Sequence, residues 1–430
     1  MMTDTSQKKS IEWAYSHKEK LIQLIQELVQ IPSISGKELD IQTFLFKKLN
    51  ELGFETKKVY PDLSVLKNND DFFETTSFTK YGYEKRPNIS GVLKGIGNGP
   101  SLCLSGHVDV VSPEPLDQWT KNPWKGEIDG EWIYGRGAGD MKGGLAAMIF
   151  ACESLKETNV KLQGNVYIET TIEEEDGGVG GALYMRITEP KYDAAIIPEP
   201  LNHAIGIASA GVMYFRVKVI GSPAHASTAH YGVNAIQKMY LIINALEKLH
   251  QRRQHTIHYK YAEIDETMKG KATTINIGTI QAGDWPSTVP GSCTIECRVG
   301  WPPGETREQI RKQIEDTIQS ESRKDPWLQD HLPLIEWFGW NAQPHELSPN
   351  HPFVQLVKNE ATMSIGKELP YIGGAAGLDA RYFVTNGIPA VTFGPIAERI
   401  HSYDERVNIN STLKVAETLI SVIQKFCKIK

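Results

Sequence analysis

Apolar positions recur at helical spacing early in the chain. Leu21, Ile22, Leu24, Ile25, Leu28 and Val29 predict an amphipathic helix that stops at Pro32. After the IPSISG turn, Ile41, Phe44, Leu45, Leu49 and Leu52 predict a second helix, closed by Gly53. Short apolar runs at 88–93 and 101–105 read as strands, 142–156 as a helix, and 165–171 and 194–197 as further strands. This alternation predicts an α/β fold: a mixed, mainly parallel sheet flanked by helices. Residues 68–87 are polar and irregular and read as an insertion or loop.

From about Gly211 the rhythm changes. A strand at 212–220, a helix at 234–250, strands at 273–280 and 287–299, a helix at 305–320 and a strand at 332–338 give the order βαββαβ of a ferredoxin-like unit. The predicted organisation is therefore one domain in two parts, 1–211 and 341–430, with an inserted domain at 212–340. The last part carries a helix at 353–365, a strand at 390–393 and a helix at 411–428.

With 430 residues the chain is long enough for two domains, and 40% hydrophobic and 23% charged residues exclude a largely disordered chain. Lys plus Arg number 46 against 52 Asp plus Glu, a net charge of −6, so no positive field is on offer to nucleic acid. No apolar run approaches the ~20 residues of a membrane span, and the opening MMTDTSQKKS has no secretory h-region. The five cysteines are scattered. Cys293 and Cys297, four apart on a predicted strand, would lie roughly 13 Å apart, too far for a disulfide. A reducing, cytoplasmic location is the expectation.

Five segments place His, Asp or Glu just after a predicted strand or a glycine-rich turn. In SGHVDV, His107 and Asp109 are two apart; in extended chain they share a side, so Asp109 can accept the second ring N–H of His107. GRGAGDMKGG carries Asp140, IEEEDGGVGG carries Glu173, Glu174 and Glu175, IIPEP carries Glu199, and RIHSYDE carries His401. Clustered carboxylates repel one another and call for cations. Two His with three carboxylates suit zinc, cobalt or manganese, and the carboxyl ends of parallel strands are where open α/β sheets bind ligands.

Other chemistries fit poorly. The GRGAGD string spaces its glycines wrongly for a dinucleotide turn and puts Asp140 where phosphate would approach. There is no GxxxxGK[ST] phosphate loop, and Ser209 lacks the flanking glycine of a nucleophile elbow. His250, His255 and His258, beside Arg252 and Arg253, read as a solvated basic face.

In combination, SGHVDVV, GRGAGDMKGG, EEEDGG, PEP, GSPAHAS and GLDARYF resemble the zinc-dependent superfamily of acetylornithine deacetylase, succinyl-diaminopimelate desuccinylase, carboxypeptidase G and aminoacylase-1. The resemblance spans nearly the whole chain and implies that the inserted domain is a lid through which a homodimer forms. It implies two divalent ions per subunit, most readily zinc, with cobalt or manganese as alternatives. His107, Asp140 and Glu199 would hold one ion; Asp140, Glu175 and His401 would hold the other. It makes Asp109 the residue that orients His107, Glu174 the catalytic base, and His225 an oxyanion donor reaching the partner subunit's site. Arg298 would grip a substrate carboxylate, with Asn276 on a neighbouring strand. Glu173 stands where the motif usually has Asp, Leu378 where Ser or Thr is usual, and Cys297 where an acidic residue often stands. The implied activity is hydrolysis of a small N-acyl amine, first of all an N-acyl amino acid. A dipeptidase or carboxypeptidase, a formylaminopyrimidine deformylase of thiamine salvage, and a non-catalytic ligand-binding relative are the alternatives.

Overall fold

The computed structural model describes residues 2–264, 266–374 and 376–430. The chain divides into two compact units: Met1–Ile207 with Leu347–Ile372 and Leu378–Lys430, and Ala208–Glu346 with Gly373–Gly377.

The first unit is built on a twisted sheet in the order Glu55–Val59, Asn88–Leu93, Val166–Thr171, Leu102–His107, Ala194–Ile197, Ala390–Thr392, Ile205–Ser209. Val166–Thr171, Leu102–His107, Ala194–Ile197 and Ala390–Thr392 run parallel, and the outer strands are antiparallel. Leu102, Cys103, Leu104, Ile168 and Ile196 are wholly buried, the continuous burial of a sheet covered on both faces. The helix Gly143–Glu157 is apolar around most of its circumference and sits inside the unit. Its start can approach the strand Ala194–Ile197 closely because residue 144 is glycine: a Cβ there would lie 2.0 Å from the Pro198 carbonyl oxygen. The helix Lys18–Val29 buries Leu21, Ile22, Leu24, Ile25, Leu28 and Val29. The last helix, Ile409–Phe426, starts at Asn408, whose side chain accepts the Ser411 N–H at 2.9 Å.

The second unit is an antiparallel sheet, Thr274–Ala282, Ser292–Trp301, Gly211–Ile220, Leu334–Ala342, with the helices Ala235–Thr256 and Arg307–Ser322 on one face. This is the ferredoxin-like arrangement, the first strand central and the last at its side. Alternate residues Met213, Phe215, Val217 and Val219 meet Ile295, Cys297 and Val299 and the helix residues Met239, Ile242, Leu246, Ile310, Ile314 and Ile318. Truncating such a side chain to alanine costs about 2–5 kcal/mol. Thr306 and Gln309 form a capping box at the second helix.

Four features depart from the pattern-based expectation. A helix covers Met2–Ser16, where the polar sequence has no apolar stripe. The segment read as a loop at 68–87 contains the helix Thr76–Tyr81, too short for periodicity to register, with Thr75 capping Phe78 N–H at 3.0 Å. A small third sheet joins Ala397–Glu398, Arg406–Asn408, Trp132–Tyr134 and Glu127–Asp129, strands of two or three residues. The strand expected from 287 begins at Ser292, after Pro290, whose nitrogen has no hydrogen to give a ladder.

Candidate metal centre

Parallel strands deliver their carboxyl ends to one edge of the sheet, and the chemistry-bearing residues follow from that. His107 closes Leu102–His107, Glu173–Glu175 follow Val166–Thr171, and Glu199 follows Ala194–Ile197. Asp140 comes from the glycine-rich turn before helix Gly143–Glu157, and His401 from the turn between Ala397–Glu398 and Arg406–Asn408. These residues gather into two groups that share Asp140: His107, Asp140 and Glu199, and Asp140, Glu175 and His401, the donor atoms of each lying within 4.8 Å of one another.

In the first group His107 Nε2 is 3.0 Å from Asp140 Oδ1 and 3.4 Å from Glu199 Oε1. In the second, His401 Nε2 is 2.9 Å from Glu175 Oε2 and 3.4 Å from Asp140 Oδ2. His107 Nδ1 lies 2.9 Å from the backbone carbonyl of Asp109, while the Asp109 carboxylate is 3.6 Å away. The ring is thus steadied by the carbonyl at least as much as by the expected carboxylate. The carboxylate is occupied elsewhere: it accepts the Ser35 hydroxyl at 2.7 Å and the N–H groups of Glu174 and Glu175 at 3.0 and 3.2 Å. Asp109 therefore ties the loop carrying Glu174 and Glu175 to the strand carrying His107.

The electrostatics are those of acids crowded together and largely buried. Burial raises Glu175 to about 7 and Glu199 to about 8, with Asp140 adding to both. Glu174 is pushed well above the usual carboxylate range by burial, with Asp379, Glu199 and Glu175 adding. Burial disfavours a charged His107, yet Glu199, Asp109 and Asp140 outweigh it and raise the ring's pKa. Hydrogen bonds donated to the Asp140 and Glu175 carboxylates raise His401 to about 10.

Divalent ions fit this arrangement. With Nδ1 donating to a carbonyl, a neutral His107 turns the lone pair of Nε2 toward two carboxylate oxygens, which only a cation or an extra proton reconciles. Among the described residues, none donates a hydrogen bond to the buried Glu199 Oε1. Nitrogen and carboxylate oxygen donors suit zinc, cobalt and manganese.

Several supporting residues escaped the sequence reading. Glu405 is fully buried and accepts the N–H groups of Gly139 and Asp140, each at 3.0 Å, while Arg136 Nη1 donates to its other oxygen at 2.5 Å. It fixes the turn that presents Asp140. Arg381 and Tyr382 both donate to the Gly177 carbonyl, at 2.6 and 2.8 Å, and brace the far end of the Glu174–Glu175 loop. Asp379 is buried beside them and raised to about 7 by burial. RIHSYDE and GLDARYF contain these residues, but nothing local distinguishes them.

His225, Arg298 and Asn276 belong to the second unit and are not members of the cluster. His225 is exposed, and its Nδ1 accepts the Ser227 N–H at 3.1 Å, which leaves Nε2 as the donor. Arg298 and Asn276 are cross-strand partners on the sheet face opposite the helices, in one row with Tyr214. Arg298 Nη1 donates to Thr274 Oγ1 at 3.2 Å.

The sequence profile of Peptidase family M20/M25/M40 matches residues 103–425. The chain is 28% identical over 443 residues to N-formyl-4-amino-5-aminomethyl-2-methylpyrimidine deformylase of Bacillus subtilis, covering 96% of each protein. It is 26% identical to succinyl-diaminopimelate desuccinylase of Methylorubrum populi, covering 94% of this chain and 97% of that protein. In fold it is similar to the dipeptidase Dug1p of Saccharomyces cerevisiae (TM-score 0.75, 14% identity, 98% of both chains). It is likewise similar to a tripeptidase of Staphylococcus aureus (TM-score 0.73, 23% identity, 96% of this chain and 99% of that one).

Proposed function

Because the chain belongs to peptidase family M20/M25/M40, and is thereby a metal-dependent hydrolase of C–N bonds, we propose that it cleaves the amide of a small N-acyl amine, first of all an N-acyl amino acid. The observation that carries this reading is the sharing of Asp140 between two His–carboxylate groups, with Glu174 buried beside them.

His107, Asp140 and Glu199 would hold one divalent ion, and Asp140, Glu175 and His401 the second, with zinc the first choice and cobalt or manganese able to replace it. Such ions lower the pKa of water toward ~7 and polarise a carbonyl. Glu174, buried beside both groups, then acts as general base. It takes that proton from the attacking water and hands it to the leaving amine nitrogen. Asp109 holds the backbone of this base and orients His107. His225, with Nε2 as donor, steadies the developing oxyanion from the partner subunit of a homodimer formed through the lid, residues 212–340. Arg298 holds a substrate carboxylate, with Asn276 beside it.

A second reading is the formylpyrimidine deformylase. The near full-length similarity to the Bacillus subtilis enzyme favours it. Both readings use the same hydrolytic machinery and differ in the acyl group and the amine. Buried, unpaired Cys103, Cys152, Cys293, Cys297 and Cys427 support a reducing, cytoplasmic setting. Among the described residues no helix is long and apolar enough to cross a membrane.

The test is metal analysis followed by a screen of formylated, acetylated and succinylated amines and dipeptides. Turnover confined to N-acyl amino acids supports the first reading, and turnover confined to a formylated aminopyrimidine supports the second. No hydrolysis by the metal-loaded protein across all four classes would return the chain to the non-catalytic alternative.

A further inference from the structure

Glu173 directs its side chain away from the cluster although both residues after it serve the cluster. Its backbone is left-handed, φ 69° and ψ 18°, which an L-residue adopts only when its surroundings impose it. The imposing element is the segment read from sequence as a loop. On Oε1 the Glu173 carboxylate accepts the hydroxyls of Thr75 and Ser77 and, at 3.2 Å, Nη1 of Arg86. On Oε2 it accepts the Tyr83 hydroxyl at 2.9 Å and the Gly180 N–H at 2.7 Å. Every one of these side chains is buried. Arg86 in turn forks onto Glu38, Nε to Oε2 at 2.8 Å and Nη2 to Oε1 at 2.7 Å. Ser77 N–H also donates to Asp176 Oδ2 of the same loop at 2.6 Å. The loop 173–176 is therefore clamped from two sides: Asp109 holds the N–H groups of Glu174 and Glu175, and residues 75–86 hold the side chains of Glu173 and Asp176.

We propose that Glu173 is a positioning residue, and that the segment 75–86 acts through its carboxylate to set the turn presenting Glu174 and Glu175. This rests on the dinuclear reading above. The longer acid is part of the device. Asp, one methylene shorter by roughly 1.5 Å, could not reach Thr75, Ser77 and Tyr83 while also bonding Gly180 N–H. The Glu at 173 and the segment 75–86 thus form one unit of this chain.

The experiment loads wild-type protein, Glu173→Asp and Tyr83→Phe with Co(II). It records uptake, affinity and the visible absorption band, together with the melting temperature of each metal-free protein. Expected is tight Co(II) binding by wild type. Glu173→Asp should bind Co(II) 10- to 100-fold more weakly, with a shifted band, because Glu175 is displaced. Tyr83→Phe should show a smaller change in the same direction. A purely structural role lowers the melting temperature but leaves the band and affinity of the folded protein unchanged, and that result would overturn the proposal. Should Glu173→Asp fail to fold, Tyr83→Phe, which removes one donor and little volume, decides by the same two readouts. Wild type taking up no Co(II) would overturn the dinuclear reading itself, and the proposal with it. Normal uptake with unaltered variants overturns the proposal alone.

Discussion

Asp109 and Arg298 are both residues that the sequence nominates, yet their surroundings differ in kind. Asp109 is fully buried and accepts three hydrogen bonds from Ser35, Glu174 and Glu175. Arg298 is half-buried on the sheet face opposite the helices, in a row with the exposed Asn276. The same contrast separates Glu405, locked onto the Asp140 turn, from the exposed His225. The first unit spends buried charge on fixing backbone, as a site doing chemistry needs. The second presents side chains on a surface, as a recognition element needs. Damage to the first should lower kcat directly, whereas in the second Arg298 should act through recognition and His225 through the oxyanion it would steady in the partner subunit's site.

The largest effect should come from removing metal. Dialysis against a chelator should abolish hydrolysis, and zinc or cobalt should restore it; full activity in protein shown to be metal-free would break the comparison at its root. Next comes Glu174→Gln, expected to lower kcat by about 10²–10⁴-fold while metal content stays at the wild-type value. Near-normal turnover would remove the base from Glu174. His225→Ala should cost about 10²–10³-fold in kcat. Mixed with Glu174→Gln, it should recover part of the activity in heterodimers that combine one intact Glu174 with an intact His225 from the neighbour. No recovery after verified subunit exchange would deny sharing between subunits.

How much of this was legible in the sequence depends on how local each signal is. His107, Glu174, Glu175 and Glu199 follow apolar strands directly, so strand order alone sends them to one edge. Asp140 and His401 stand in turns and became legible only through the company of the other motifs. Glu405 and Arg86 were not legible. Glu405 acts on a turn 266 residues away, and Arg86 acts on Glu38 and Glu173, 48 and 87 residues distant. Their role exists only after folding brings buried charges together. The expected grip of the Asp109 carboxylate on His107 meets a competitor that no local pattern shows. The i, i+2 geometry does bring them close, but the Glu174–Glu175 loop competes for that carboxylate and the Asp109 carbonyl stands nearest the ring.

Arg298 gives the smallest effect and the sharpest test of the comparison, because it should change binding without touching the hydrolytic step. Burial lowers the pKa of its guanidinium from the ordinary value, but a shift from so high a starting point leaves it cationic at neutral pH. A substrate carboxylate paired with it would gain about 1.5–3 kcal/mol, so Arg298→Ala should raise KM by about 10- to 100-fold. The same substitution should leave kcat within about threefold, since Arg298 belongs to the sheet of the second unit and Glu174 to the loop of the first. Kinetics on paired substrates, alike except that one lacks the carboxylate, separate the outcomes. A rise in KM confined to the carboxylate substrate locates recognition on this sheet face. An equal rise for both, or a fall in kcat matching that of Glu174→Gln, would erase the division of labour between the two units.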